Sequence, residues 1–456
     1  NSVAIGAGAG GFDQSENSVA MGFGAGGSNQ SDSSVAVGIE AGGENQQSGG
    51  VAVGAFAGGE NQQSGGVAVG AFAASYNQGA ASVAIGGAAG ESNQGCNAIA
   101  VGTVSGGCNQ GCNSIALGFG AGSINQGCNS IAMGALAGLI YQGCNSIALG
   151  SAAGNLNQGV SAFAAGDKAG YFNQGHYSVA VGGAAGSINQ GYNSIAVGAV
   201  SGMCNQGCNS VAIGAGAGGF DQSENSVAVG IAAGVLGQGE KSVAVGHFAG
   251  NSDQGAESVA VGVFAASYNQ GEKSVAVGIA AGVVGQGENS VAIGAVAGSC
   301  NQGENSVAVG LGAGAFSQGA AATALGAQAG AYNQNFGATA VGFGAGAFDH
   351  GETAIALGAN AGNSNQKSNA IAIGAFAGYS NQGINSIEIA SYRSTIGLIP
   401  IPDNSIVLNA TNVVLPGPLK PNSTYIKPIQ QILPAEAGDF KNLKYNPVTG
   451  ELGYEA

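Results

Sequence analysis

The residues able to do chemistry are few, and their spacing is regular. Cys96, Cys112, Cys128 and Cys144 recur every sixteen residues, Cys208 shares their phase, and Cys108, Cys204 and Cys300 share a second phase. Thiols held at one repeat apart suit either disulfides between neighbouring structural units or free thiols, and spacing alone leaves both open. A metal centre would need CxxC-like pairs completed by histidine. The run CNQGC, Cys108 to Cys112, is a by-product of the repeat. His176, His247 and His350 fall at three different phases, so no fixed partner in a cleft can serve them as a Ser/His/Asp assembly requires. Gly-rich runs such as GAGAGG, Gly6 to Gly11, lack the following helix and lysine of a phosphate loop, and no GGxGxD calcium repeat is present. The chain reads as non-catalytic: no catalytic, cofactor-binding or metal-ligating residue is expected, and no cofactor.

What places these residues is a sixteen-residue repeat. Counting from Ser2, SVAIGAGAGGFDQSEN, the register holds for 24 units without insertion or deletion, and a partial unit, SIEIA, begins at Ser386. The consensus is S-[VI]-A-[VIL]-G-x-x-A-G-x-x-N-Q-G-x-N. Such a unit is too short to fold alone and shorter than the familiar helical repeats. Glycine at this density would cost about 1 kcal/mol per site in a helix. Alternation over S-V-A-I-G marks a strand. The glycine at position 5 suits a corner. Position 8, Ala9 or Ala121 with Ser105 and Ser201 as variants, is placed on a second straight segment, and NQGxN carries turn residues. Two straight segments and their corners make one coil of a parallel β-solenoid, like residues stacked over like.

The expected packing puts the large aliphatics of positions 2 and 4 inside, such as Val3 and Ile5, Ile115 and Leu117, Val243 and Val245. The invariant alanine of position 3 then points outward. At about 4.8 Å per coil, 24 alanines form an apolar stripe roughly 115 Å long, which is read as a contact with other copies of the chain. Crowding against a turn of the same coil is the alternative. Positions 7 and 11 trade volume in part: Gly8 stands with Phe12, Gly120 with Ile124, Gly216 with Phe220 and Gly312 with Phe316. Phe248 stands with Ser252 and Phe376 with Ser380, whereas Phe72 with Tyr76 breaks the pattern. The absence of any insertion points to a rod whose faces cannot carry loops.

Position 13 is Gln in all units but one, where it is His350. Position 12 is mostly Asn, with Asp13, Asp221, Asp253 and Asp349 among the variants. Stacked amides form ladders that stabilise neighbouring strands. The functional alternative is a polar array that recognises ice or polysaccharide, although the threonine rows common in solenoid ice binders are missing.

Composition bounds the partners. Charged residues are 7% of 456, and the formal net charge is −15. That balance disfavours nucleic acid and anionic membrane surfaces. No run of 18 large apolar residues offers a transmembrane helix. The chain opens directly in a repeat at Asn1 and is expected to be a fragment or a processed product, with another protein meeting the uncapped first coil.

NSVAIG, at Asn1 to Gly6 and Asn289 to Gly294, and NSIALG, at Asn113 to Gly118 and Asn145 to Gly150, resemble the head repeat of trimeric autotransporter adhesins. The resemblance covers residues 1 to about 390 and departs in period, fourteen residues in that family against sixteen here. It implies a left-handed β-roll with three chains packed into one head.

Near residue 386 the composition changes. All 8 prolines lie between Pro400 and Pro447, and the tail also holds five of the nine basic residues, among them the only arginine, Arg393. Proline is poorly compatible with a central ladder, so the solenoid is expected to end there. Strands are predicted at Ser405 to Asn409, Asn412 to Leu415 and Thr424 to Ile426, and a hairpin over Leu443 to Glu455 turning at Pro447 to Gly450. SIVLNAT, YIKPI and LKYNPVTGELGY resemble the ends of fibre proteins in tailed phages and large DNA viruses, where a self-cleaving chaperone domain often follows.

The expectation is therefore an all-β protein: a β-solenoid shaft over 1–385 and a small β-rich capping and trimerisation region over 386–456. Its expected role is that of a homotrimeric structural fibre on a virion or cell surface, extracellular, meeting a host receptor or glycan. An enzyme such as a polysaccharide-cleaving fibre is disfavoured, because no acidic pair sits in an irregular coil.

Overall fold

The computed structural model describes residues 1–392, 400–410, 418–427, 443–445 and 452–454. The described residues form no helix; they form a parallel β-solenoid whose repeat is the sixteen-residue unit. Positions 2–4 of every rung form one strand, and 27 such strands stack in a single parallel sheet that starts at Val3–Ile5 and ends at Thr424–Lys427. Like stands on like: Val19 pairs Val35, Ala20 pairs Ala36 and Met21 pairs Val37. The second strand of a rung is positions 11–13, from Glu60–Gln62 to Phe348–His350, and isolated bridges extend this row at both ends. The straight segment thus lies three residues later than position 8, which sits in a turn, and it takes in the Asn-Gln pair expected to turn.

The packing is inverted relative to the expectation. The alanines of positions 3 and 8 are the core, fully buried from Ala20 and Ala25 through Ala372 and Ala377. The aliphatics of positions 2 and 4 point outward and are half-buried or exposed. Cross-section decides the matter. A Cβ placed on Gly26 at position 9 would come within 3.2 Å of the Ala20 methyl, and one on Gly58 within 3.1 Å of Ala52. The interior is one methyl group wide on this line and has no room for a valine. Alternation marks two faces but does not say which is inside, and the larger side chains are the ones the rung cannot enclose.

Corners follow from backbone sterics. The position 5 glycines hold φ between 110° and 137°, a region closed to other residues, and a Cβ on Gly278 would stand 2.6 Å from the Gly294 carbonyl oxygen of the next rung. Positions 12 and 16 are left-handed, as at Asn125 (φ 57°) and Asn129 (φ 56°). Asparagine tolerates this conformation best among residues with a side chain. Position 7 is left-handed too, even where it is Val104 or Phe72, which gives the recurrent glycine there a conformational reason.

The sheet does not stop where proline begins. Ile387–Tyr392, Ile406–Asn409 and Thr424–Lys427 continue it in parallel. The prolines described, Pro400, Pro402, Pro418 and Pro421, lie between strands. What changes at residue 386 is rung length: Ile387 pairs Ile406 and Ile406 pairs Thr424, so the last rungs are 19 and 18 residues. The inward position passes from Ala372 to Glu388, Val407 and Tyr425. Glu388 and Val407 are buried, as is Ile401. The Glu388 carboxylate accepts the Gly378 N–H. Leu443–Tyr445 and Leu452–Tyr454 pair antiparallel as the expected hairpin; its turn and the strand expected at Asn412 to Leu415 lie outside the described residues.

The inverted core is tested by a matched pair of substitutions. Ala276→Val, inward, should destabilise its rung by about 1–3 kcal/mol through overpacking, while Val275→Thr, outward on the same strand, should cost less than half as much. Native-state hydrogen exchange of the amides in that rung reads both.

Candidate functional surfaces

With the interior closed, whatever the chain does it does on its outer rows. Positions 2 and 4 build the broadest of these. They are Val, Ile, Leu, Met, Phe, Ala or Thr in every complete unit and never charged. Leu117 and Ile213 are about two-fifths exposed, and Leu325 nearly half. The result is a flat aliphatic sheet face that runs the length of the shaft, where the expectation had only an alanine stripe.

The polar ladders divide into an inner and an outer set. Gln at position 13 points inward and is buried, as at Gln190 and Gln238. Its amide crosses the rung and donates to the position 2 carbonyl of the same rung, for example Gln190 to Val179 and Gln238 to Val227, both at 2.8 Å. It is a brace between the two strands. In part of the shaft it also donates upward, as Gln46 to Gln62 and Gln62 to Gln78 at 2.9 Å. Elsewhere, as in Gln126 to Gln222, the Oε1 is buried without a partner and rests against the glycine of position 9. A Cβ on Gly202 would stand 2.6 Å from the Gln206 oxygen. This brace couples position 13 to position 9. The position 1 serines close the adjoining corner by donating to position 14 carbonyls, as Ser210 to Gly207 at 2.6 Å.

Asparagine makes the outer ladders. At position 12, Asn93, Asn109 and Asn125 bond rung to rung at 2.9–3.1 Å. At position 16, Asn97, Asn113, Asn129 and Asn145 do so at 3.2–3.3 Å. This row carries on into the longer rungs through Asn385, Asn404 and Asn422. Of the amide array weighed for ice or polysaccharide, only the asparagine half reaches solvent. Rows 7 and 11 flank a shallow groove floored by row 10, lined near one end by Glu40, Phe56 and Phe72 facing Glu44, Glu60 and Tyr76. Further along, Phe316, Tyr332 and Phe348 stack in row 11 with centroids 5.1 and 5.2 Å apart.

The histidines stay apart, on rungs far from one another. His176 is exposed and accepts the Val160 N–H at 3.0 Å. His247 is exposed and packs edge-on against Phe248 and Phe264. His350 takes the place of a glutamine inside the rung. The eight cysteines carry free thiols. Among the described residues no group of three or more His, Cys, Asp or Glu is arranged to hold a metal, and no helix is long and apolar enough to cross a membrane. No family model, curated protein or solved structure matches the chain.

His350 is the weak brace. Neither ring nitrogen finds a hydrogen-bond partner of good geometry. Burial holds its pKa down, to about 4, against a smaller opposing effect of the Gln366 side chain. The unfolded chain therefore binds this proton first, and stability present above pH 6.5 is lost as the pH falls towards 4. The loss for that rung is about 3 kcal/mol at most, from the ordinary histidine value and linkage. His350→Gln should remove this pH dependence, as read by hydrogen exchange around residues 334–366 at pH 4.5 and pH 7.

Proposed function

We propose that the chain is a structural fibre subunit: a rod that associates with copies of itself along its aliphatic sheet face and is displayed on the outside of a virion or cell, where it spans distance and meets a host surface. The observation that carries this reading is the uncharged face of positions 2 and 4. An exposed apolar surface of that length marks an interaction site, and its geometry favours one occupant. Its ridges recur once per rung, about 4.8 Å apart, so a partner must share that period to stay in register along the shaft. A second copy does so by construction. The acidic residues behind the net charge of −15 lie in other rows, which spares the association a like-charge penalty. Three copies, a left-handed winding and the adhesin-like role rest on the resemblance to trimeric autotransporter heads. The outward asparagine rows support a second reading, a module that binds polysaccharide or ice, although their amides already satisfy one another.

Mass measurement in solution by light scattering decides the assembly. The expected result is three times the chain mass of 43.3 kDa, and a single-chain mass sinks the proposal. Val243→Lys with Val245→Lys should shift the species towards monomer while the circular dichroism of the β-solenoid persists. A glycan array and an ice-recrystallisation assay on the intact protein separate the second reading from the first.

A further inference from the structure

Cys96, Cys112, Cys128 and Cys144 occupy position 15 of four successive rungs. Three are exposed and Cys96 is half-exposed. The corner that carries them is fastened rung to rung: the amides of Asn113, Asn129 and Asn145 donate to the carbonyls of Cys96, Cys112 and Cys128, each at 2.9 Å. The asparagine ladder beside them holds the same register. Each cysteine therefore stands over the next, about one strand spacing or ~4.8 Å away at Cα. That lies within the roughly 4.4–6.8 Å that a disulfide spans. The surroundings suit the chemistry as well. Between Glu91 and Asp167 no residue is charged, and the row is open to a small reagent from solvent.

We infer that this row is a site of oxidative modification, which closes into two disulfides between neighbouring rungs, Cys96–Cys112 and Cys128–Cys144, by exchange with an external low-molecular-weight disulfide. One protein thiolate attacks the external disulfide, forms a mixed disulfide and expels one thiolate. The neighbouring protein thiolate then attacks the protein sulfur, forms the bond between rungs and expels the second. Two protein thiols are oxidised, one external disulfide is reduced to two thiols, and the two protons pass to the departing sulfurs. Pairing from the ends of the row leaves no thiol over, whereas a central Cys112–Cys128 bond strands two. The other four cysteines have no such neighbour. Cys208 lies between Tyr192 and Glu224 in its row. Cys108 is paired with Ser92 and Ile124, Cys204 with Ile188 and Phe220, and Cys300 with Val284 and Phe316. Burial and Asp221 also push the Cys204 thiol up.

The test treats the intact protein with glutathione disulfide, blocks remaining thiols by alkylation and maps thermolysin peptides without reduction. The expected map contains the Cys96–Cys112 and Cys128–Cys144 pairs within one chain. Cys108, Cys204, Cys208 and Cys300 should be recovered alkylated or as glutathione adducts. In Cys112→Ser, Cys96 should join that second group while Cys128–Cys144 persists. Stable glutathione adducts or unreacted thiols throughout the row, a single Cys112–Cys128 bond, or links between chains in place of links between rungs would each overturn the assignment.

Discussion

The sixteen-residue rung is narrow, filled by alanine, serine, glycine and a threaded glutamine, or once by His350 in the glutamine's place, and the rest of the molecule is arranged around that width. A core built of methyl groups buries little apolar area per residue, so it cannot hold a chain together as a globular core does. What replaces it is repetition. The backbone corners bond to the rung before or after them, and each position 13 glutamine spans the interior to the opposite strand. Stability in such a stack is the sum of many similar contacts between neighbours. For this reason one poor brace, His350, weakens its own rung without requiring change elsewhere.

A narrow rung also dictates the surface. With no room inside, the β-branched residues that favour a strand must stand on its outer side, where they form an aliphatic wall. In a globular protein that wall would be the core. Here it stands on the outside of the shaft, and its ridges repeat with the rung. Tight corners complete the arrangement. Glycine at position 5 and asparagine at positions 12 and 16 provide the backbone conformations that let a coil close in sixteen residues.

Where the rung lengthens, the constraint relaxes. From Ile387 onward the inward position accepts Glu388, Val407 and Tyr425, and proline enters the segments between strands. The sheet itself runs on, so the shift in composition marks a wider coil and not the end of the stack.

By themselves the residues determined the period, the register, the parallel stacking, the glycine corners and the stacking of amides into ladders, because each is written as identity at a fixed phase and requires only local sterics. The scattering of the histidines and the stacking of Cys96 to Cys144 follow from the same phase. Tertiary structure alone decided which face is inside. An alternating strand presents two sets of side chains of equal standing, and the choice depends on the distance to the opposite wall. No local pattern carries that distance; it is set by how the whole coil closes, and here it admits the alanine methyl and excludes the valine beside it.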